Sequence, residues 1–215
     1  MKPLLQVALD YLDLDPALEM IKKIESEIDL IEAGTPLIKA EGLKQTFESF
    51  QKFTKKPLIA DLKAADVADI EFTLASDCGA EFVTVLGSSP KENINDAIES
   101  AKKLNLKLVV DLMGVVDYKN KAKELMEMGV KYLGLHCGIS EQRQNKTIFS
   151  KTKEVSEIIL ESDTQIVVAG GIKENNIHLL KNIKNIAIII VGGGITNQKN
   201  PLEATKILQE KIRNL

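Results

Sequence analysis

Short apolar runs alternate along this chain with stretches in which apolar positions recur every three or four residues. The first pattern is that of a buried parallel strand, the second that of an amphipathic helix. The strand-like runs are 4–10 (LLQVALD), 28–33 (IDLIEA), 57–63 (PLIADLK), 81–86 (EFVTVL), 106–112 (LKLVVDL), 131–136 (KYLGLH), 165–170 (QIVVAG) and 186–191 (IAIIIV). A helical pattern follows each, for example at 16–26, 92–104, 119–128 and 201–213. Such alternation implies right-handed crossovers and a parallel sheet. Eight strand–helix units in 215 residues predict an α/β fold, a single (β/α)8 TIM barrel over 1–215, somewhat below the usual ~250 residues. A doubly wound open sheet is the weaker alternative, because no Gly-rich dinucleotide fingerprint follows the first strand.

A barrel gathers function at the C-terminal ends of its strands. Those ends read Asp10, Glu32, Asp61 with Lys63, Thr84, Asp111, His136, Gly170-Gly171 and Gly192-Gly193-Gly194. The segment 58–66 (LIADLKAAD) is the most informative. Alternation points Asp61 and Lys63 to one side and Leu62 to the other, and two inward charges need a partner or a ligand. Asp66 follows in the next turn, where a helix N-cap is the plain reading. Glu32 and Asp61, on neighbouring strands, can share a hard divalent cation such as Mg²⁺, or be solvated loop acids. Lys63 can neutralise them or stabilise an oxyanion.

His136 shares a face with Gly134 and Tyr132, whereas Cys137 points the other way, which argues against a nucleophilic Cys–His pair. With Asp111 one strand earlier, His136 suits a general acid/base; alone it would read as a surface histidine. His178 lies in a helical pattern. The glycine runs 169–171 (AGG) and 191–194 (VGGG) are tight turns or, as a pair after the last two strands, a phosphate cradle. Lys39 and the Thr35-Pro36 turn are weaker candidates for substrate contact.

Composition narrows the classes. Net charge is −3 with interspersed signs, which gives no nucleic-acid stripe and no membrane patch. Arg143 and Arg213 are the only arginines, so a phosphate site must rest on backbone amides or Lys. Cys78 and Cys137 suggest a reduced, cytoplasmic protein, and neither a signal-peptide pattern nor a bilayer-length apolar run is visible. The histidine and cysteine spacings give no zinc signature.

Asp61-x-Lys63-x-x-Asp66 resembles the signature of the orotidine 5′-monophosphate decarboxylase superfamily. QVALD (6–10), IEAGTPLIKAEG (31–42), ADLKAAD (60–66), VTVLG (83–87), VVDLMGVVD (109–117), VAGGI (168–172) and VGGGIT (191–196) are similar to the 3-hexulose-6-phosphate synthase family. The 3-keto-L-gulonate-6-phosphate decarboxylases are its near relatives. The resemblance covers almost the whole chain, with motif order and spacing kept. It implies a Mg²⁺-dependent aldolase that joins formaldehyde to D-ribulose 5-phosphate. It implies Glu32 and Asp61 as metal ligands, Lys63 as stabiliser of an enediolate and His136 as the proton-transfer histidine. Asp10 becomes a substrate contact, and Gly170, Gly171, Gly192 and Gly193 the phosphate loops. Asp66 is implied to enter the neighbouring subunit's site, which makes the protein a homodimer with shared sites.

The region after His136 departs from both families. The decarboxylases read His-Arg-Ser-Arg-Asp; here His136-Cys137-Gly138-Ile139-Ser140 stands, with Ile139 at the second arginine. The synthases read His-Thr-Gly-x-Asp-x-Gln-Ala-x-Gly; here Ser140, Arg143 and Asn145 replace the Asp, Ala and Gly, and Gln142 is kept. Decarboxylation of 3-keto-L-gulonate 6-phosphate, a ribulose-phosphate epimerase and a silent sugar-phosphate-binding barrel are the rival readings. Ile139 argues against the first, as does Gly193, which stands where the decarboxylases tend to have the Arg of a Gly-Arg pair in the last phosphate loop. The epimerase lacks its metal histidines here, and the intact acid, Lys and His set speaks against the third.

Overall fold

The computed structural model describes residues 2–215. Eight parallel strands close into a barrel in sequence order, β1 pairing with both β2 and β8. The strands are β1 (Leu4–Leu9), β2 (Leu30–Ala33), β3 (Leu58–Ala64), β4 (Phe82–Leu86), β5 (Lys107–Asp111), β6 (Tyr132–His136), β7 (Gln165–Ala169) and β8 (Ile186–Val191). Between and after them run α1 (Leu14–Ile24), α2 (Thr35–Glu41), α3 (Leu43–Phe50), α4 (Ala68–Asp77), α5 (Lys91–Lys103), α6 (Tyr118–Glu127), α7 (Ile139–Gln142), α8 (Phe149–Ile158), α9 (Gly193–Thr196) and α10 (Pro201–Arg213). The fold is a single (β/α)8 TIM barrel, as the alternating pattern predicts. Among the described residues, no helix is long and apolar enough to cross a membrane.

Strand alternation divides the side chains between two apolar layers. One set faces the helices, where Leu5, Val7 and Leu9 meet Ile21 and Ile24 among many others. The other set fills the barrel interior with Leu30, Ile59, Phe82, Val109, Val167 and Ile188. Two residues further along the same faces, apolar gives way to polar: Leu30 is followed by Glu32, Ile59 by Asp61, Phe82 by Thr84 and Val109 by Asp111. A dry floor therefore carries a polar mouth, and the change of residue type occurs at one height around the ring.

Two elements differ from the expected pattern. The crossover after β7 is a 3-10 turn, Ile177–Leu180, and not an α-helix. Its sequence, KENNIHLLKNIKN, is rich in Asn, whose side chains compete for backbone groups and tolerate the left-handed region. Asn176 Oδ1 accepts from the Lys173 N–H at 2.8 Å, and Asn182 and Asn185 have φ of 66° and 62°. The second difference lies in β3. Its register against β4 runs Ala60↔Val83 and then Ala64↔Val85, so residues 61–63 stand opposite Thr84 alone. Lys63 within this bulge has φ 48°. Bulges of this kind re-aim side chains beside functional sites.

Candidate active site

A large cavity opens at the C-terminal ends of the strands. Asp10, Glu32, Asp61, Lys63, Thr84, Asp111, His136, Gly170, Gly171, Gly192 and Gly193 all line it. The structure thus brings together every candidate read from the strand ends except Asp66. That residue lies in an exposed turn outside the cavity of its own chain, and Val67, not Asp66, is the N-cap of α4. Lys39 is exposed on α2 and does not line the cavity, whereas Thr35 and Pro36 do.

Asp61 is the hub. Its Oδ2 pairs with Lys63 Nζ and accepts from Thr35 Oγ1 at 2.8 Å, and its Oδ1 accepts from Thr84 Oγ1 at 2.9 Å. Burial pushes its carboxyl up, but Lys63 and the two hydroxyls outweigh burial and hold it below the ordinary value. Glu32 has the opposite balance. Burial, then the Asp61 charge, drives it well above the ordinary carboxylate value, and the Gln6 amide that donates to Glu32 Oε2 offsets only part of this. Asp10 is raised for the same reasons, burial first and Asp61 second. Burial alone would lower Lys63, yet Asp61 and Glu32 raise it. Asp10, Glu32, Asp61 and Asp111 thus crowd one mouth around the Lys63 ammonium, which leaves the centre of the pocket short of positive charge.

His136 ends β6 and faces Asp111, with Nδ1 3.4 Å from Asp111 Oδ2. Asp111 Oδ1 accepts the Met113 N–H at 2.9 Å, which fixes the carboxylate. An Nδ1–H directed at Asp111 leaves Nε2 as the free ring nitrogen. Cys137 points away into the barrel wall, its Sγ 3.4 Å from the Lys146 carbonyl oxygen, as alternation predicts. The residues that sequence reasoning left without a role are Gln6, Thr84 and Gln142. Gln142 Nε2 donates to the Cys137 carbonyl at 2.7 Å, and its side chain packs beside Gly171.

Two glycine loops close the far side. Gly170 has φ 100°, and a Cβ there would lie 2.2 Å from the Cys137 carbonyl oxygen. Only glycine lets the β7 loop lie this close to the β6 loop. Gly192 caps α9, whose first backbone N–H groups have no partner within the helix. Lys173, Thr196 and Asn197 line the same rim.

A (β/α)8 barrel with acids, a Lys and a His at its strand ends and glycine loops after the last two strands has the architecture of an enzyme of this fold. The family comparison is more specific. Residues 3–208 match the orotidine 5′-phosphate decarboxylase / HUMPS family, and the chain belongs to that family. It is 37% identical over 210 residues to the 3-hexulose-6-phosphate synthase of Staphylococcus haemolyticus (strain JCSC1435), covering 97% of this chain and 98% of that protein. The crystal structure of 3-hexulose-6-phosphate synthase from Salmonella typhimurium superposes with a TM-score of 0.92 at 29% identity, over 100% of this chain and 99% of that one. The crystal structure of KGPDC from Streptococcus mutans superposes with a TM-score of 0.84 at 25% identity, over 100% of this chain and 99% of that one.

Proposed function

We propose that the protein is a Mg²⁺-dependent aldolase that condenses formaldehyde with D-ribulose 5-phosphate to D-arabino-hex-3-ulose 6-phosphate, reversibly and through an enediolate. The observation that carries this reading is the meeting of Asp61, Lys63, Asp111 and His136 in one mouth, within a chain that matches a 3-hexulose-6-phosphate synthase over 97% of its length.

The glycine loops at 170–171 and 192–193 bind the phosphate through backbone N–H groups and so orient the sugar chain across the mouth. His136 Nε2 takes the proton from C1 while Asp111 holds the Nδ1–H and stabilises the imidazolium. The Lys63 ammonium faces the oxygen on which negative charge develops. C1 then forms the new bond to the formaldehyde carbon as the C=O π bond opens onto oxygen, and that oxygen takes back the proton held by the His136 imidazolium. The crowded carboxylates fit a hard divalent cation: Glu32 and Asp61 would hold it, with water and substrate oxygens completing the shell. Among the described residues no three His, Cys, Asp or Glu side chains are grouped to hold a metal ion, so the proposed site rests on these two carboxylates. When bound, Mg²⁺ supplies Lewis-acid polarisation of the sugar oxygens.

The decarboxylase reading shares this machinery but needs a proton delivered to the enediolate. Ile139 on α7 lines the mouth and offers no charge and no hydrogen bond for that. Two copies of the chain share their sites, with Asp66 reaching the neighbour's cavity. Val67, Ile70 and Leu74 support this: they are 42%, 64% and 49% exposed and fall on one face of α4 and its cap. The unpaired cysteines accord with a cytoplasmic location.

The test is to incubate purified protein with ribulose 5-phosphate and formaldehyde after EDTA treatment, then add Mg²⁺. Hexulose phosphate should form only after the metal is restored. Full turnover in excess EDTA would remove the metal from the proposal. Faster release of CO₂ from 3-keto-L-gulonate 6-phosphate than consumption of formaldehyde would replace the aldolase by the decarboxylase.

A further inference from the structure

We propose that Thr84 is a positioning residue whose hydroxyl fastens the β3 bulge and thereby sets the geometry of the Asp61–Lys63 pair. The starting point is the break in the ladder. Asp61, Leu62 and Lys63 stand opposite one β4 residue, so β3 gives up regular pairing to β4 there. A buried backbone N–H that leaves a ladder needs another acceptor. The Lys63 N–H finds it in Thr84 Oγ1 at 2.8 Å, and the same hydroxyl donates its hydrogen to Asp61 Oδ1 at 2.9 Å. One side-chain oxygen therefore accepts from the backbone of Lys63 and donates to the carboxylate of Asp61.

The hydroxyl makes these two hydrogen bonds, and Thr84 is buried at 8% exposure. A lysine at φ 48° occupies a region that residues with a side chain rarely enter, and it stays there only when the surroundings hold it. Thr84 holds it at the amide, and the Asp61 carboxylate holds it at the ammonium. Both tethers converge on Asp61, whose other oxygen is taken by Thr35 and Lys63. Loss of the Thr84 hydroxyl frees one oxygen of Asp61 and one backbone donor together. Lys63 can then relax toward ordinary strand geometry, which turns its ammonium away from the reacting oxygen. The catalytic consequence rests on the aldolase reading; the structural part does not.

Thr84→Val keeps the shape and removes the hydroxyl, and Thr84→Ser keeps the hydroxyl. Two readouts are taken on each variant. The first is the Lys63 amide exchange rate and Cα chemical shift in the ligand-free protein, which report the tether and the backbone angle. Thr84→Val should lose both signatures and Thr84→Ser should keep them. The second is the kinetics with ribulose 5-phosphate and formaldehyde. Thr84→Val should lower kcat by about 100-fold, the scale of a small misplacement of a catalytic group, with a much smaller change in KM. Thr84→Ser should restore most of kcat. Unchanged Lys63 signals and kcat in Thr84→Val overturn the proposal, as does a Thr84→Ser protein as impaired as Thr84→Val. If Thr84→Val does not fold, the wild-type Lys63 amide decides: exchange as fast as that of an exposed loop amide overturns the proposal. A wild type that turns over neither substrate sinks the aldolase reading and leaves the Lys63 readout standing.

Discussion

Glu32 shows how a residue can be placed against the interest of the fold. Its carboxyl is buried beside Asp61 and is raised well above the ordinary 4.5. The folded state therefore holds that proton more tightly than the unfolded chain does. By linkage the associated stability is fully present below about pH 4.5 and is lost as pH rises through the higher folded value. Glu32→Gln removes the titrating group and keeps an amide able to pair with Gln6. In EDTA at pH 8 the variant should be more stable than wild type by about 1 kcal/mol, or roughly 2–4 °C in Tm. The difference should shrink toward pH 4.5. Added Mg²⁺ should raise the Tm of the wild type and leave that of the variant nearly unmoved. A Glu32→Gln protein less stable than wild type in EDTA at pH 8 would show that Glu32 serves the fold, not a ligand. At this scale the sequence was informative where side chains follow strand alternation, as with Glu32, Asp111 and His136. Thr84 was visible only as a strand end, because its role depends on a bulge in the neighbouring strand. Nothing in the string ADLKAAD marks Lys63 as the residue with positive φ.

At the scale of elements, strand positions were legible to within a residue or two, because continuous apolar runs admit few registers in a doubly covered sheet. The run 186–191 and the helix 201–213 coincide with β8 and α10, the latter bounded by Asn200, whose side chain accepts from the Glu203 N–H. The missing helix after β7 was not legible, since its apolar spacing suits one turn as well as three. The β6–β7 contact was equally hidden. Gly170 reads as a turn glycine, yet the decisive fact is its fit against Cys137. Gly42 is a natural control: its φ is 81°, but a Cβ there would meet nothing within 4 Å. Gly170→Ala should cost more than Gly42→Ala, because at Gly170 a backbone clash adds to backbone strain, whereas Gly42, with φ 81° and ψ 144°, meets only the strain of about 1–3 kcal/mol. Denaturant unfolding of both variants measures the gap. Equal losses would mean that the close approach of the two loops carries no energetic weight.

The whole molecule leaves one feature of α4 unaccounted for in a single chain. Val67, Ile70 and Leu74 present apolar surface, while Glu71, next to them, has a buried Oε2 without a hydrogen-bond partner among the described residues and a carboxyl that burial raises. Asp66 sits just ahead of this face, outside its own cavity. A second copy docked on α4 would cover the stripe, offer Glu71 a partner and carry Asp66 toward a foreign mouth. A closed two-fold arrangement applies the same contact twice and completes two sites. This makes a prediction that no monomer can satisfy. Asp66→Ala and His136→Ala should each be nearly inactive alone. Mixed and allowed to exchange subunits, the heterodimers should place both substitutions at one site and leave the other intact. At equal ratio, statistical exchange puts half of the dimers in that form, each with one of two sites working, so activity should recover to about a quarter of wild type. Exchange is followed independently, by mass spectrometry of differently tagged copies. If heterodimers form and activity does not return, Asp66 acts within its own chain or only shapes the turn before α4, and the shared-site proposal is wrong.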